Sequence, residues 1–351
     1  MLTFTPENLR QIGIALLSAC GASAEEAAIV ADELVEASLM GLDSHGVMRY
    51  TQYAEDALAG KIRPGAPIRI VKETETTATV DAGLNFGPVS AVRMVDIACD
   101  KAARYHLSCV VSQNGQHVGR LGAYATKCAQ RSFVALAAVN SSKHGHWVVP
   151  WGGREGRLAT NPLAFAVPTA GRPIVLDMST AMIAEGKVRV LRQMGKQAPP
   201  GSIITADGQP TTDPDLFYGP PHGSILPFGS HLGYKGFGLS LMVESLGGLL
   251  AGMATSQDHP YVNGLCILCI DPDGFCGRER FVELATDMAA YMLNTPPPAG
   301  HERVVLPGQL DDETRARRLR EGIPVAENTW EGIVAVGRKV GLDLSAQAKK
   351  A

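Results

Sequence analysis

The chain has 351 residues, 45% hydrophobic and 19% charged, enough for a sizeable core and for two structural units rather than one. Its 35 acidic and 32 basic residues leave a formal charge of −3 with no basic run, which excludes the electrostatic footprint of a nucleic-acid or anionic-membrane binder. The opening "MLTFTPENLR" lacks a basic-then-apolar leader, and no apolar run approaches the roughly 18 residues of a membrane helix. The seven scattered cysteines do not form a disulfide framework, so a cytoplasmic protein with reduced thiols is expected.

Three helices are expected in the first sixty residues. Thr5 caps the first, Pro6 opens it and Gly21 stops it. Ser23-Ala24-Glu25-Glu26 is a capping box leading into Ile29, Val30, Leu34, Val35 and Leu39, and this second helix ends at Gly41. Ser44 is the expected N-cap of the third, with Val47, Tyr50, Ala54, Ala57 and Leu58 on one face, His45 and Arg49 on the other, and Gly60 at its end. A charged helix face is ordinarily solvated surface, which covers His45, Arg49, Gln52 and Asp56 one at a time. Together, Asp43, Ser44 and His45 at a helix start with Arg49 nearby also compose a carboxylate and proton-donor site, and both readings stay open.

From about residue 75 strand-like and helical runs alternate, an α/β pattern: "TATVDAG", a helix opened by Pro88, "SCVVSQNG", a helix through Ala129, then "FVALAAVN". The turn in "SCVVSQNGQHVGRLGAYA" puts His117 at a strand's carboxyl end, ahead of a helix starting near Arg120 whose N-terminus would favour a neutral imidazole; a histidine bonding its own turn fits equally. In "NSSKHGHWVVPWGG", His144 and His146 lack a third ligand at metal spacing, and Ser141 and Ser142 are the better ligand-binding candidates. "LAFAVP", "PIVLDM" and "LCILCI" add strands. Lys196 to His231, dense in Pro and Gly, reads as a long ordered loop, and "GFGLSLMVESLGGLLAGM" as a buried glycine-rich helix. A strand sends Cys266 and Cys269 to opposite faces, making them structural thiols; a zinc site would need two further ligands, with Cys276 the only candidate nearby. The tail after Pro307 is charged and helical and is expected to pack on the N-terminal helices.

Nucleotide fingerprints fail literally: there is no GxGxxG after a strand, and "AEGKV" has Val188 where a P-loop needs a hydroxyl. Asp177, Ser179 and Thr180 at the end of "PIVLDMST", and Lys235 between glycines at a helix start, are workable contacts for a ribose or pyrophosphate.

In order, "GLDSHGVMRY", "NGQHVGRLGAYA", "VVPWGG", "LATNPLAFAVP", "VLDMSTAMIAEGKV", "PPGSIITADGQPTTDP", "LGYKGFGLSLMVESLGG" and "LPGQ" resemble the malate/L-lactate dehydrogenase family, over nearly the whole chain and nearest its hydroxycarboxylate dehydrogenase branch. The resemblance implies a non-Rossmann mixed-sheet NAD(P)-binding α/β domain, 76–307, and a helical substrate and dimerisation domain built from 1–75 with 308–351. It implies hydride transfer between NAD(P)H and the C2 carbonyl of a 2-oxo acid in a homodimer. His45 would then be a proton donor supported by Ser44, Arg49 the carboxylate clamp and His117 the second catalytic histidine. Ser141, Thr160, Asn161, Asp177, Met178, Ser179, Lys235, Pro307 and Gly308, with His45, would line the dinucleotide. NAD is expected over NADP, with Lys187, Arg189 and Arg192 the candidates for a 2′-phosphate. "LATNP" has Ala159 where the family often has Gly, and "HGHWVVP" is bulkier than the family pattern. The alternatives are a cyclic imino-acid reductase and a non-catalytic dinucleotide-binding protein, against which the presence of both histidines argues.

Overall fold

The computed structural model describes residues 1–256 and 262–347. Strand β1 (Leu2–Phe4) leads into α1 (Pro6–Ala19), where Thr5 accepts from the Asn8 N–H at 3.2 Å, and Gly21 takes φ +95° after its end. In α2 (Ala24–Leu39) the capping box closes reciprocally: Ser23 Oγ accepts from Glu26 N at 3.2 Å, and the Glu26 carboxylate accepts from Ser23 N at 2.9 Å.

The third helix departs from expectation. Asp43–His45 is a single 3₁₀ turn, and α3 (Arg49–Leu58) begins at Arg49 with no side-chain cap. The interruption is at Gly46, where an added Cβ would collide with Ser38 Oγ, and Ser38 accepts from the Val47 N–H at 3.0 Å. This close approach to α2 breaks the helix, so Ser44 is not its N-cap and His45 does not share a helix face with Arg49.

Next come β2 (Arg69–Glu73), β3 (Thr77–Asp81), α4 (Gly87–Tyr105), β4 (Leu107–Gln113), α5 (Gly122–Ala129), β5 (Val134–Ser141), β6 (Leu163–Val167), β7 (Ile174–Met178) and α6 (Glu185–Gln193). The expected loop from Lys196 to His231 instead contains β8 (Ile203–Ile204), β9 (Pro210–Thr211), α7 (Pro214–Tyr218) and β10 (Ser224–Ile225), with the three strands paired as one small sheet. Ile203, Phe217 and Ile225 join Val148 and Val188 in a separate small core. Strands of two residues carry no readable period, which is why only the turn chemistry was visible.

After α8 (Gly233–Gly247), β11 (Asn263–Ile270) returns to the main sheet, followed by α9 (Arg278–Leu293), α10 (Gln309–Glu321), β12 (Ile323–Val325) and α11 (Glu327–Lys339). The main sheet is mixed, in the order β2-β3-β4-β11-β5-β6-β7, with β3 and β4 parallel and β11 antiparallel to both β4 and β5. Strands β4, β5 and β7 therefore run the same way, and their carboxyl ends share one edge.

Alternation splits the sheet's apolar residues between two cores. Val110, Ala135, Ala137, Val175 and Ile267 face α4 and α5, whereas Val111, Ala138 and Leu163 face Val243 of α8. Cys266 and Cys269 divide between those cores as expected, but the neighbours of Cys269 are Cys99 and Cys128, all three sulfurs lying within 4.8 Å of one another, while Cys276 is exposed.

The tail packs back as expected: β12 pairs with β1, and Ile333 and Val336 of α11 share a core with Leu9, Leu16, Leu34 and Tyr50. The apolar faces of the N-terminal helices are thus largely covered within the chain, and exposed apolar surface is found elsewhere. Helix α8, expected to be buried, is not buried all round: Leu241 is 46% exposed and Met242 38%. Its small residues face the sheet, since a Cβ on Gly247 would stand 2.8 Å from the Asn140 N.

Candidate active site

The carboxyl-end edge of the sheet meets the 3₁₀ turn and α3. His117 follows β4, and its ring stacks on His45 with centroids 5.6 Å apart and planes 22° from parallel. Ser44 Oγ lies 2.9 Å from His45 Nδ1, which leaves Nε2 for a ligand. Tyr53, one turn beyond Arg49 on α3, places its hydroxyl 2.8 Å from His117 Nδ1 and 2.9 Å from the His117 carbonyl. That hydroxyl can donate to Nδ1 when Nε2 carries the proton, or donate to the carbonyl and accept from Nδ1–H when Nε2 is the base. The Gly119 N–H, 3.3 Å from Nδ1, favours the first arrangement.

Arg49 folds back toward the turn. Its Nε donates to the Ser44 carbonyl at 2.7 Å and its Nη1 to Gln52 Oε1, while Nη2 has no protein partner among the described residues. Although α3 starts late, the turn still brings Ser44, His45 and Arg49 together with His117.

Burial dominates the electrostatics. Burial, then the charges of Arg49 and Lys187, brings the His45 imidazole down to about 4. Burial also holds His117 well below the ordinary histidine range, with Arg49 and His45 adding to it, so the cause expected from the sequence, a helix N-terminus, is not the leading one. Helix α5 starts only at Gly122. Both imidazoles are neutral near pH 7, each with one nitrogen carrying a proton and one free to accept.

The residues expected along a dinucleotide divide into two groups. Ser141 ends β5, Met178 ends β7 with Ser179 directly after it, and Ser179 Oγ donates to the Ala181 carbonyl at 3.1 Å. Lys235 lies exposed in the first turn of α8, which has no side-chain cap and so leaves first-turn N–H groups for an anion. An uncapped helix start with a lysine fits a diphosphate. That turn reaches the end of β7 through Phe228, whose N–H donates to the Thr180 carbonyl at 2.8 Å and whose backbone a Cβ on Gly236 would strike.

The second group is engaged within the protein. Asn161 is fully buried and donates to Glu244 Oε2 at 3.0 Å and to the Ser240 carbonyl at 3.1 Å, and Thr160 uses its carbonyl on the Thr180 N–H. Asp177 accepts from the Gly122 N–H at 2.7 Å with Arg120 3.7 Å away; burial pushes its carboxyl up against the pull of both. Pro307 accepts from Val175 N at 3.2 Å, and Gly308, at φ +84°, starts α10 against the outer edge of β7. His146 is half-buried with an unpartnered Nε2, and His144 is exposed.

Two features escaped sequence reasoning. Tyr53 had a signal, its spacing of four from Arg49 on one helix. Buried Glu244 had none: it accepts from Asn140 at 3.1 Å, from Asn161 and from Thr255 at 2.8 Å, partners that only the fold assembles.

A family model described as malate/L-lactate dehydrogenase matches residues 4–334. Hydroxycarboxylate dehydrogenase B of Escherichia coli O157:H7 is 32% identical over 347 residues, covering 97% of this chain and 94% of that protein. The solved sulfolactate dehydrogenase of Methanocaldococcus jannaschii superposes with a TM-score of 0.89 at 30% identity, covering 99% of both chains. The solved delta1-piperideine-2-carboxylate reductase of Pseudomonas syringae gives 0.79 at 29%, covering 96% of this chain and 100% of that one. The class is that of the nicotinamide-dependent 2-hydroxyacid dehydrogenases. The chain belongs to the malate/L-lactate dehydrogenase family, whose fold explains the missing glycine fingerprint.

Proposed function

We propose that the chain interconverts a 2-oxo acid and its 2-hydroxy acid at the His45–His117 pair, and the observation that carries this is the stacking of those two half-buried rings beside Arg49. The nicotinamide supplies the hydride in reduction and receives it in oxidation. Arg49 takes the substrate carboxylate on its unpartnered Nη2 and the outer edge of Nη1, a charge-assisted grip that fixes C2. Ser44 orients His45 through Nδ1, and Tyr53 orients His117 in either protonation state. The histidine pair gives a proton to the carbonyl oxygen in reduction and removes it from the hydroxyl in oxidation. Ser141, Met178, Ser179 and Lys235 hold the dinucleotide along the sheet edge, Thr160, Asn161, Asp177, Pro307 and Gly308 shape the backbone around it, and residues 1–75 with 308–351 form the helical unit that closes on 76–307.

NAD is the proposed coenzyme. The Arg189 guanidinium is held by Glu185 at 2.7 Å and Arg192 by Asp215 at 2.7 Å, so neither is free for a 2′-phosphate. A cytoplasmic homodimer is proposed on the family's likeness and on the apolar face of α8.

A panel of 2-oxo acids and cyclic imino acids, assayed with NADH and NADPH by loss of nicotinamide absorbance, tests this. Reduction of 2-oxo acids with NADH preferred is expected. Turnover of cyclic imino acids alone would establish the reductase reading, which the Pseudomonas neighbour keeps as the rival. An NADPH preference abolished by alanine at Arg189 and Arg192 would make those arginines a phosphate clamp.

A further inference from the structure

Three cysteines from three elements meet in the core on the α4 and α5 side of the main sheet. They are Cys99 of α4, Cys128 of α5 and Cys269 of β11, each 3% exposed or less, with their sulfurs within 4.8 Å of one another. No histidine or carboxylate joins them among the described residues. The cluster lies one side chain below the surface: Arg131, half-exposed and donating to Asp96 at 2.6 Å, also bonds the Cys99 sulfur. Hydrogen bonds from the Cys128 and Cys269 thiols, then the Arg131 charge, bring the Cys99 thiol down to about 4 against the effect of burial, so one thiolate stands beside two thiols. The other close pair, Cys109 and Cys266 with sulfurs 3.7 Å apart, lies on the opposite face of the sheet and offers only two ligands.

Three sulfurs held at about 2.3 Å from one central atom lie about 4 Å from each other, so the triad needs only small side-chain adjustment to close on an atom. Charge decides which atom. Zinc takes a fourth ligand that the cluster does not supply among the described residues, and three thiolates around a monovalent or divalent ion leave net negative charge in an apolar core. A trivalent centre leaves none. We infer that Cys99, Cys128 and Cys269 form a three-thiol site for a trivalent thiophilic metalloid, with arsenous acid as its simplest carrier. Three arsenic–oxygen and three S–H bonds break, three arsenic–sulfur bonds form, and the protons leave with the hydroxyls as three waters. Arsenic stays trivalent throughout, so the exchange needs neither oxidant nor reductant. Arsenous acid is uncharged at neutral pH, and its entry past Arg131 therefore desolvates no ion. The bound atom ties α4, α5 and β11 together.

The test incubates the native chain with sodium arsenite and reads native mass, the arsenic shell by X-ray absorption, and thermal unfolding. One arsenic atom gained and three hydrogens lost per chain, three sulfurs around the arsenic and a raised Tm are expected. Cys99→Ala and Cys128→Ala, with the fold checked by circular dichroism, should each weaken binding about tenfold or more, whereas Cys109→Ala and Cys276→Ala should leave it unchanged. The native mass and shell decide the matter even where an alanine variant fails to fold. No bound arsenic, a shell of two sulfurs, or arsenic kept by Cys99→Ala and lost from Cys109→Ala would overturn the assignment.

Discussion

At the scale of single residues, the proposed site places two imidazoles where burial keeps them neutral and sets a guanidinium beside them. The Arg49 charge opposes protonation of His45, and in the proposed mechanism a bound carboxylate would cancel that opposition, so that substrate arrival would prepare the histidine to hold a proton. The pH dependence follows with a definite sign. Oxidation of a hydroxy acid needs the neutral base, so its kcat/KM should be level from about pH 6 to 8 and fall as pH drops through the free-enzyme value near 4. Reduction needs the protonated form, so its kcat/KM should decline as pH rises above that value. Arg49→Met removes one cause of the depression and should move both inflections to higher pH. The same variant should raise KM for the acid by about 10- to 150-fold, the equivalent of a charged hydrogen bond worth roughly 1.5–3 kcal/mol. Profiles in both directions for the native enzyme and the variant check this; inflections that stay in place would show that Arg49 does not act on the histidine.

Among the elements, what the sequence made legible was local and what it hid was tertiary. The Thr5 cap, the Ser23 box and the positive-φ glycines after α1 and α2 are contacts within a few residues, written in order along the chain. The start of α3 obeys a different contact, Ser38 against Gly46 and Val47, which helix-cap rules cannot see. An apolar, glycine-rich stretch such as α8 reads alike whether its large side chains meet a core or an unfilled surface, and only the glycine contacts with Asn140 and Gly264 show which face is inward. The same limit applies to the site. His45, Arg49 and His117 were visible as residue types near strand ends and helix starts, but Tyr53 meets His117 across 64 positions and Asn140 meets Glu244 across 104. The bases of α6 illustrate it again: as a run they resembled a phosphate clamp, and in the fold Arg189 and Arg192 are each paired with an acid while Lys187 is exposed.

For the whole molecule, the outward face of α8 continues into Leu249 and Leu250, 53% and 59% exposed, large apolar side chains on a surface that monomers seldom leave open. The proposed homodimer, closing over this face, would account for them, and the symmetric interface would lie behind the sheet whose edge carries the candidate site. Light scattering at micromolar concentration should give twice the chain mass, and Leu241→Glu with Leu250→Glu should give the single-chain mass with the fold retained by circular dichroism. A native monomer that is fully active would refute this assembly. The claim on which the rest depends is that the stacked histidines move the proton, and turnover of His45→Ala and His117→Ala with a saturating 2-oxo acid and NADH measures it most directly. A fall in kcat of about 10²- to 10⁴-fold in at least one variant, with NADH affinity kept, is the expected result. Native turnover in both would contradict it.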